Sequence, residues 1–345
     1  MTEPFPADPA GPTGMDALGV TFASFQNLGL DAGLQAADWA AELGFRSYWT
    51  AETVGPEAFA TLAAVAGRAP SLDLGTGVLA LQLRTPMVVA MGAATLQVLQ
   101  PEHDVLVGVG ISSPVVTEKW HGAPYGTRPI ARVREYAALL RECLAGDTVS
   151  FKGDFYEVSK FRLGVRLGER RPKIVLGALN EHMLRLAGEV ADGVLLNYLP
   201  ASHVPWAVAR VREGEALSGN RCRVYAYVHV GVTERDEKAV EYARRDLFSY
   251  AVVDGYAKNF TLAGFGDEVA ELRARHEARD REGALAAISD RMIDAIDIVG
   301  DATHIRRAVA EYVDAGVDVP VLMPLPWGPD RLAVIRATME AAAGR

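Results

Sequence analysis

The sequence predicts a closed (β/α)8 TIM barrel with insertions on its C-terminal face. Eight short apolar runs, many of them β-branched, alternate with helical patterns along the 345 residues, as expected for buried parallel strands joined by helices. Glycines follow the third and fourth runs, at the end of the strands where a barrel builds its binding site. The candidate strands are residues 19–23, 47–50, 72–76, 105–109, 174–176, 194–197, 224–230 and 319–323.

Helix-start signals occupy the gaps between these runs. Pro86 and Pro129 each precede a long apolar-striped segment, and proline is favoured at the first position of a helix. Asp31 and Asp301 stand before similar segments, and aspartate is favoured as an N-cap. We therefore predict helices that begin at all four places.

The chain is predicted to form one domain. We find no internal repeat and no linker, so we assign residues 16–345 to a single barrel and the Pro- and Gly-rich residues 1–15 to a disordered tail.

Two segments are additional to the strands and helices of a simple barrel. Residues 147–171 are expected to form a hairpin excursion, and residues 236–297 a charged helical excursion between the seventh and eighth strands. Excursions on the C-terminal face commonly cover the active site.

Composition argues against several classes of partner. The net charge is −9 and no basic cluster is present, so neither nucleic acid nor an anionic membrane surface is expected to bind. No apolar run approaches transmembrane length, and the N-terminus lacks the pattern of a secretion signal. Two isolated cysteines, Cys143 and Cys222, are expected to be buried thiols in a reducing compartment, which favours a cytoplasmic protein.

The candidate pocket is formed by the residues that end the strands. Gly77 and Val78 end the third strand, where a glycine either admits a flat ring close to the backbone or merely allows a tight turn. The Gly-x-Gly at 108–110 lacks a third glycine and a helix directly after it, which argues against a Rossmann phosphate loop. The turn at 177–180 precedes a helix, so its amides either hold a phosphate or form an ordinary turn.

Glu52 and His121 are the candidate catalytic residues. Glu52 is either a proton donor of raised pKa or an anchor for the start of the next helix. His121 either contacts a cofactor or substrate as hydrogen-bond partner or acid, or is satisfied locally in its loop. The seven histidines show no metal-ligand spacing and no nucleophile elbow is present. We therefore expect no metal, and chemistry carried by an organic cofactor.

An ordered set of motifs, beginning near residue 18, resembles the luciferase-like superfamily. Within it, the similarity is to deazaflavin-dependent oxidoreductases related to methylenetetrahydromethanopterin reductase. Each motif is weak alone, but their order and spacing together are specific. The motifs are Ala-Glu-Leu-Gly-Phe at 41–45, Tyr-Trp-Thr-Ala-Glu at 48–52, Leu-Gly-Thr-Gly-Val at 74–78, Arg-Thr-Pro at 84–86, Val-Gly-Val-Gly-Ile-Ser at 107–112, Trp-His-Gly-Ala-Pro-Tyr at 120–125, Arg-Val-Arg-Glu-Tyr at 132–136, Leu-Ala-Gly-Glu at 186–189 and Ala-Asp-Gly at 191–193.

This resemblance implies a cofactor, a backbone feature and an assembly. The cofactor would be coenzyme F420, a deazaflavin bound without covalent attachment, with FMN as the alternative. The bond between Gly77 and Val78 would be a cis peptide behind the ring, with Glu52 near that ring, and the protein would be a homodimer. The other positions matched to the cofactor site are Gly110, Ser112, His121 and Gly122, and, in the phosphate turn, Ala178, Leu179 and Asn180.

Three positions depart from the family pattern. Thr53 stands where some sugar-phosphate dehydrogenases of the group carry a catalytic histidine, which argues against that activity. Ser113 replaces a histidine that is common after the glycine strand. Asn180-Glu181 replaces a common Gly-Pro in the phosphate turn, and Glu181 would repel a phosphate unless its carboxylate points outward.

Three functions follow as hypotheses. The first is an oxidoreductase that transfers a hydride between coenzyme F420 and a small organic substrate, reducing an activated C=C or C=N bond. The second is an FMN-dependent luciferase-like monooxygenase. The third is a non-catalytic barrel that holds a cofactor or serves a structural role.

Overall fold

The computed structural model describes residues 11–345 and contains a closed parallel barrel. Eight of its strands pair in a ring, and the eight predicted strands correspond to them within a few residues at each end, which confirms the predicted fold. The strands are β1 (Gly19–Thr21), β2 (Ser47–Thr50), β3 (Asp73–Thr76), β4 (Leu79–Ala80), β5 (Val105–Gly110), β6 (Thr148–Lys152), β7 (Glu157–Arg162), β8 (Lys173–Gly177), β9 (Gly193–Leu196), β10 (Arg223–Val232), β11 (Ile298–Gly300) and β12 (Val319–Pro324).

The ring runs β1-β2-β3-β5-β8-β9-β10-β12 and closes where β12 pairs with β1. Short β4 adds to the end of β5, and β11 adds to the end of β10. The helices that surround the barrel are α1 (Leu30–Leu43), α2 (Ala58–Arg68), α3 (Pro86–Leu99), α4 (Pro129–Ala145), α5 (Glu181–Val190), α6 (Val204–Ser218), α7 (Glu237–Ala251), α8 (Asp254–Phe260), α9 (Gly266–Glu277), α10 (Arg281–Ala286), α11 (Asp290–Ile296), α12 (Ala302–Asp314) and α13 (Arg331–Ala343).

Three of the four helix-start predictions are confirmed. Pro86 and Pro129 are the first residues of α3 and α4, and the Asp301 side chain accepts a hydrogen bond from the His304 amide at the start of α12. The prediction for Asp31 is wrong. Gly29 is the N-cap of α1, and Asp31 lies inside the first turn, where its negative charge still favours the helix dipole.

The N-terminal boundary and the two excursions have defined structure. Residues 1–10 of the predicted tail lie outside the described part of the chain, but Gly14 and Met15 belong to a 3-10 turn, Gly14–Ala17, so the ordered region begins before residue 16. The first excursion contains the antiparallel hairpin β6–β7. The second contains α7 to α11, packed around a separate apolar cluster. No helix in residues 11–345 is long and apolar enough to cross a membrane.

Large side chains inside the barrel lie against glycines. A Cβ atom on Gly75 would lie 2.3 Å from the Trp49 ring, one on Gly193 would lie 2.8 Å from the Tyr225 ring, and one on Gly77 would lie 1.9 Å from Tyr227 Oη. All three aromatic side chains are buried in the interior cluster. Each large ring therefore fills the space next to a glycine, and the barrel interior is a packed core without a pore.

Two glycines allow α5 and α6 to pack with their backbones in contact. A Cβ atom on Gly188 of α5 would lie 2.0 Å from the Val211 carbonyl oxygen, and one on Gly214 of α6 would lie 2.0 Å from the Arg185 carbonyl oxygen. Backbone atoms cannot rotate away from such a contact. Any larger residue at either position must therefore separate the two helices.

We predict that Gly188→Ala lowers the free energy of unfolding by about 2–3 kcal/mol, because the added methyl group overpacks this crossing. The control is Gly67→Ala in α2, where a Cβ atom meets nothing within 4 Å. That change should be neutral or stabilising by roughly 0.5–1 kcal/mol. Urea unfolding followed by circular dichroism measures both. Equal effects of the two substitutions would contradict the packing argument.

Candidate active site

The third barrel strand ends in a cis peptide bond between Gly77 and Val78, as the resemblance implied. The Gly77 amide donates to the Thr50 carbonyl oxygen (2.8 Å), and the Tyr227 hydroxyl donates to the Gly77 carbonyl oxygen (3.1 Å). Thr21 donates in turn to Tyr227 Oη (3.3 Å). Burial raises the pKa of the Tyr227 phenol above its usual range, so the hydroxyl remains protonated and available as a donor.

The glycines near this bend make room for protein atoms. A Cβ atom on Gly110 or Gly177 would lie 3.0 Å or 3.2 Å from a Val78 methyl group, and one on Gly108 would lie 1.8 Å from the Thr76 carbonyl oxygen. Val78 is half-buried between the ends of β5 and β8. The glycines therefore hold Val78 in place at the barrel mouth, and Gly77 is required because Tyr227 occupies the position of its side chain.

Glu52 lies in a network of hydrogen bonds. Arg84 donates from Nε to Glu52 Oε1 (2.9 Å) and from Nη2 to Oε2 (2.7 Å), and the Ala58 amide at the start of α2 donates to Oε2 (3.1 Å). Burial favours the neutral acid, but the bonds from Arg84 and Ala58 outweigh it, and the pKa of Glu52 lies below its usual value. Of the two alternatives for Glu52, these contacts favour the anchor of the next helix over a proton donor of raised pKa. The residue is a carboxylate that anchors the next helix.

His121 is brought to the loop that contains Glu52. Its Nε2 atom lies 2.6 Å from the Thr53 carbonyl oxygen. Because a carbonyl only accepts, Nε2 carries the hydrogen, and Nδ1 of the neutral ring presents its lone pair. The His121 side chain is exposed. It is thus tied locally through Nε2, while the lone pair of Nδ1 can accept a hydrogen bond.

The turn after β8 leads directly into the N-terminus of α5. Asn180 is the N-cap of α5 and accepts from the Met183 amide (3.0 Å), and the first-turn amides of α5 point out of the helix end at this turn. The Glu181 carboxylate pairs with Arg185, which lies one turn further along the same helix. That pairing directs its charge away from the turn, so this departure from the family pattern leaves the N-terminus of α5 open to an anion.

The remaining predicted residues lie in the loop after β5. Ser112 is half-buried just beyond the end of that strand, and Gly122 is exposed with a φ of +67°, a conformation that favours glycine. Ser113, which replaces a family histidine, accepts a hydrogen bond from the Val116 amide (3.3 Å). Its role in the structure is to begin the following helical turn.

Comparison with known proteins identifies the family of this chain. Residues 16–319 match the profile of the family described as luciferase-like monooxygenase. The chain belongs to this family. A Mycobacterium tuberculosis protein, provisionally named a coenzyme F420-dependent oxidoreductase, is 29% identical over 337 residues, covering 85% of this chain and 95% of that protein. The 5,10-methylenetetrahydromethanopterin reductase of Methanolobus tindarius is 26% identical over 324 residues, covering 87% and 92%.

Several solved structures show the same fold. The coenzyme F420-dependent tetrahydromethanopterin reductase of Methanopyrus kandleri superposes with a TM-score of 0.77 at 20% identity, covering 96% of this chain and 98% of that one. An F420-dependent secondary alcohol dehydrogenase, solved with an F420–acetone adduct, gives 0.77 at 19% identity, covering 97% and 100%. The monooxygenase RslO1 of Streptomyces bottropensis gives 0.68 at 19% identity, covering 95% and 98%.

Some functional groups were missed from the sequence. Arg84 was noted only as part of a family motif, yet it sets the charge of Glu52. Tyr227 was assigned no role, although the alternation of Tyr225, Tyr227 and His229 along β10 places all three on the inward face of that strand. The partner of each group lies far away in the sequence, so no local pattern identifies the contact.

We predict that Glu52→Gln destabilises the protein by about 1–2 kcal/mol at pH 7, because the charged hydrogen bonds to Arg84 are lost. A carboxylate of depressed folded pKa stabilises above its unfolded pKa of about 4.3, and this contribution is lost as the pH falls through the folded pKa. The difference between wild type and variant should therefore shrink on acidification below that value.

Urea unfolding at a series of pH values measures this difference, and Glu102→Gln, at an exposed glutamate, is the control and should change stability little at any pH. A destabilisation by Glu52→Gln that stayed constant or increased as the pH fell to about 3 would show that Glu52 is not held as a carboxylate.

Proposed function

We propose that this luciferase-like protein is a coenzyme F420-dependent oxidoreductase acting on a small organic substrate. The observation that carries the proposal is the similarity to the M. tuberculosis chain, which covers 85% of this chain and whose provisional name specifies this cofactor and reaction class. The turn before α5 supports it, because the helix amides face this turn while the Glu181 carboxylate pairs with Arg185. When bound, the deazaflavin supplies two-electron hydride chemistry.

The residues that would hold the cofactor come from three strand ends. Val78, packed against Gly110 and Gly177, would support one side of a flat ring. Ser112, His121 and Gly122, in the loop after β5, would contact the same cofactor. The turn formed by Ala178, Leu179 and Asn180 offers the N-terminus of α5 to a phosphate, and Glu181 is turned away from it. These residues fit a phosphorylated, flat cofactor. The matched cofactor-site positions are Gly77, Val78, Gly110, Ser112, Gly122, Ala178, Leu179 and Asn180.

Glu52 and His121 have different roles in this proposal. Glu52, ionised and held by Arg84, provides a fixed negative charge and orients the loop after β2. His121 donates through Nε2 to Thr53, so Nδ1 is the atom that would first take a proton from water and then pass it to the substrate. The reaction we propose is reduction of an activated C=C or C=N bond, in which the protein supplies the proton.

The alternative within the same family is an FMN-dependent monooxygenase. The family description and the fold of RslO1 favour keeping it as a candidate. It differs in a measurable way, because reduced FMN reacts readily with oxygen whereas a reduced deazaflavin does so poorly. Cofactor preference therefore distinguishes the two functions before any substrate is known.

We predict that the purified chain binds coenzyme F420 more tightly than FMN, and that Asn180→Asp weakens F420 binding about tenfold or more. Aspartate preserves the N-cap of α5 but adds a negative charge where the phosphate is expected. Glu181→Gln is the control, since that carboxylate points away, and it should change affinity by less than about twofold.

Fluorescence titration with each cofactor measures these affinities. Tighter binding of FMN, with oxygen consumed after reduction, would replace the proposal with the monooxygenase. Binding of neither cofactor at high micromolar concentration would favour a structural, non-catalytic barrel. Equal loss of affinity in Asn180→Asp and Glu181→Gln would contradict the assignment of the phosphate turn.

We also propose that the protein is a homodimer, as the family resemblance implied. Helix α3 exposes an apolar stripe in which Met91 and Val98 are each 52% accessible.

We predict that Met91→Glu combined with Val98→Glu gives a monomer, because charges at the centre of a symmetric interface face each other. Leu217→Glu, at an exposed leucine on α6, is the control. Light scattering after gel filtration gives the masses, and a wild-type monomer would end the proposal.

A further inference from the structure

Three potential metal ligands meet where the helical excursion contacts the barrel. His229 lies on β10, Asp246 on α7, and Asp297 between α11 and β11, and one donor atom from each lies within 4.8 Å of the other two. His229 is 2% exposed and Asp297 is fully buried. None of these residues takes part in the cofactor site proposed above.

The protonation of the His229 ring follows from its neighbours. Asn197 Oδ1 accepts from the Tyr198 amide (2.9 Å), which identifies this atom as the oxygen. His229 Nε2 lies 2.9 Å from the same oxygen and must therefore donate to it. In the neutral ring, Nδ1 then directs its lone pair at Asp297 Oδ1, only 3.2 Å away. Two lone pairs at this distance repel unless a proton or a metal cation lies between them.

The two carboxylates also lack a cationic partner. Asp297 Oδ2 is buried and has no hydrogen-bond partner. Asp246 accepts from the Tyr198 hydroxyl (2.7 Å). Among the salt bridges of residues 11–345, neither carboxylate pairs with a lysine or arginine. Two buried carboxylates without a nearby cation are costly to keep ionised.

We propose that His229 Nδ1, Asp246 and Asp297 bind one divalent transition-metal cation of the Zn²⁺ type. One imidazole and two carboxylates form a mixed nitrogen and oxygen donor set that suits Zn²⁺, and two negative charges neutralise the ion. Bonds of about 2.0–2.2 Å to a tetrahedral ion place neighbouring donor atoms roughly 3.3 Å apart, close to the His229–Asp297 spacing. Mg²⁺ and Ca²⁺ need more oxygen ligands than the cluster offers.

The surroundings of the donors match those of a metal site. A metal-bound histidine usually donates its other ring N–H to an oxygen, and a metal-bound carboxylate usually accepts a further hydrogen bond. Asn197 receives the N–H of His229, and Tyr198 donates to Asp246. The unpartnered Asp297 Oδ2 supplies an additional oxygen for the ion. Because the donors come from the barrel and from the excursion, the ion would fasten α7 to β10.

The direct test is the metal content of the full chain, purified without a histidine tag and without chelators. We expect about one Zn²⁺ per chain by mass spectrometry of the metal. Treatment with a chelator should remove the ion and lower Tm, and ZnCl₂ should restore both. Substitution by Co²⁺ should produce the visible absorption of a four-coordinate site. No cofactor is needed, so the result is independent of the proposed enzymatic function.

Variants locate the ion within the fold. Asp246→Asn and His229→Gln each remove one ligand and should abolish stoichiometric metal binding. Asn197→Ala leaves all three ligands but removes the anchor of His229, and it should weaken Zn²⁺ affinity about 10–100-fold. His276→Ala and Asp267→Asn, at exposed positions of the same excursion, are the controls and should bind as the wild type does.

Two results would overturn the inference. A wild-type chain that holds no metal, whose Tm is the same with chelator and with ZnCl₂, would show that a proton occupies the contact between His229 and Asp297. Metal that persists in both Asp246→Asn and His229→Gln would place the ion elsewhere. If either variant fails to fold, the measurements on the wild-type chain and on Asn197→Ala decide the question.

Discussion

The fit of three large aromatic side chains against three glycines determines the interior of this barrel. Trp49, Tyr225 and Tyr227 each occupy the space that a side chain on Gly75, Gly193 or Gly77 would need. A parallel barrel has a fixed radius, so its interior layers must hold a constant volume of side chains. Where one strand contributes a large ring, another must contribute almost nothing. The three pairs are Trp49 with Gly75, Tyr225 with Gly193 and Tyr227 with Gly77.

This packing rule explains how much of the fold and of the site could be predicted. The eight strands were predictable because burial on both faces makes them short apolar runs, and α3 and α4 because proline marks a helix start. The charge state of Glu52 could not be predicted, because it depends on Arg84, which lies in a different loop. The resemblance located the cis bond, but its support by Tyr227 emerges only once the barrel is closed.

The residues at the mouth of the barrel form two electrostatic environments, one around the Glu52–Arg84 pair and one at the N-terminus of α5. Around Glu52 the carboxylate is paired with a guanidinium and remains ionised, so it can orient a loop or a ligand without exchanging a proton. At the turn before α5, the Glu181 carboxylate pairs with Arg185, and the helix end presents its backbone amides. Under the proposed function, the cofactor phosphate would bind at this helix end, separate from the loop that Glu52 and Arg84 hold in place.

Strand β10 links this site to the helical excursion. Its inward residues alternate, so Tyr227 and His229 occupy successive interior layers. Tyr227 donates to the Gly77 carbonyl oxygen, and His229 contacts Asp297 and Asn197. A shift of α7 that moved Asp246 would change the surroundings of His229, because both belong to the same cluster. His229 and Tyr227 lie two residues apart on β10. The excursion and the cis bend are therefore joined by one rigid element, so an ion at His229 would stabilise the support of the cofactor site without touching the cofactor.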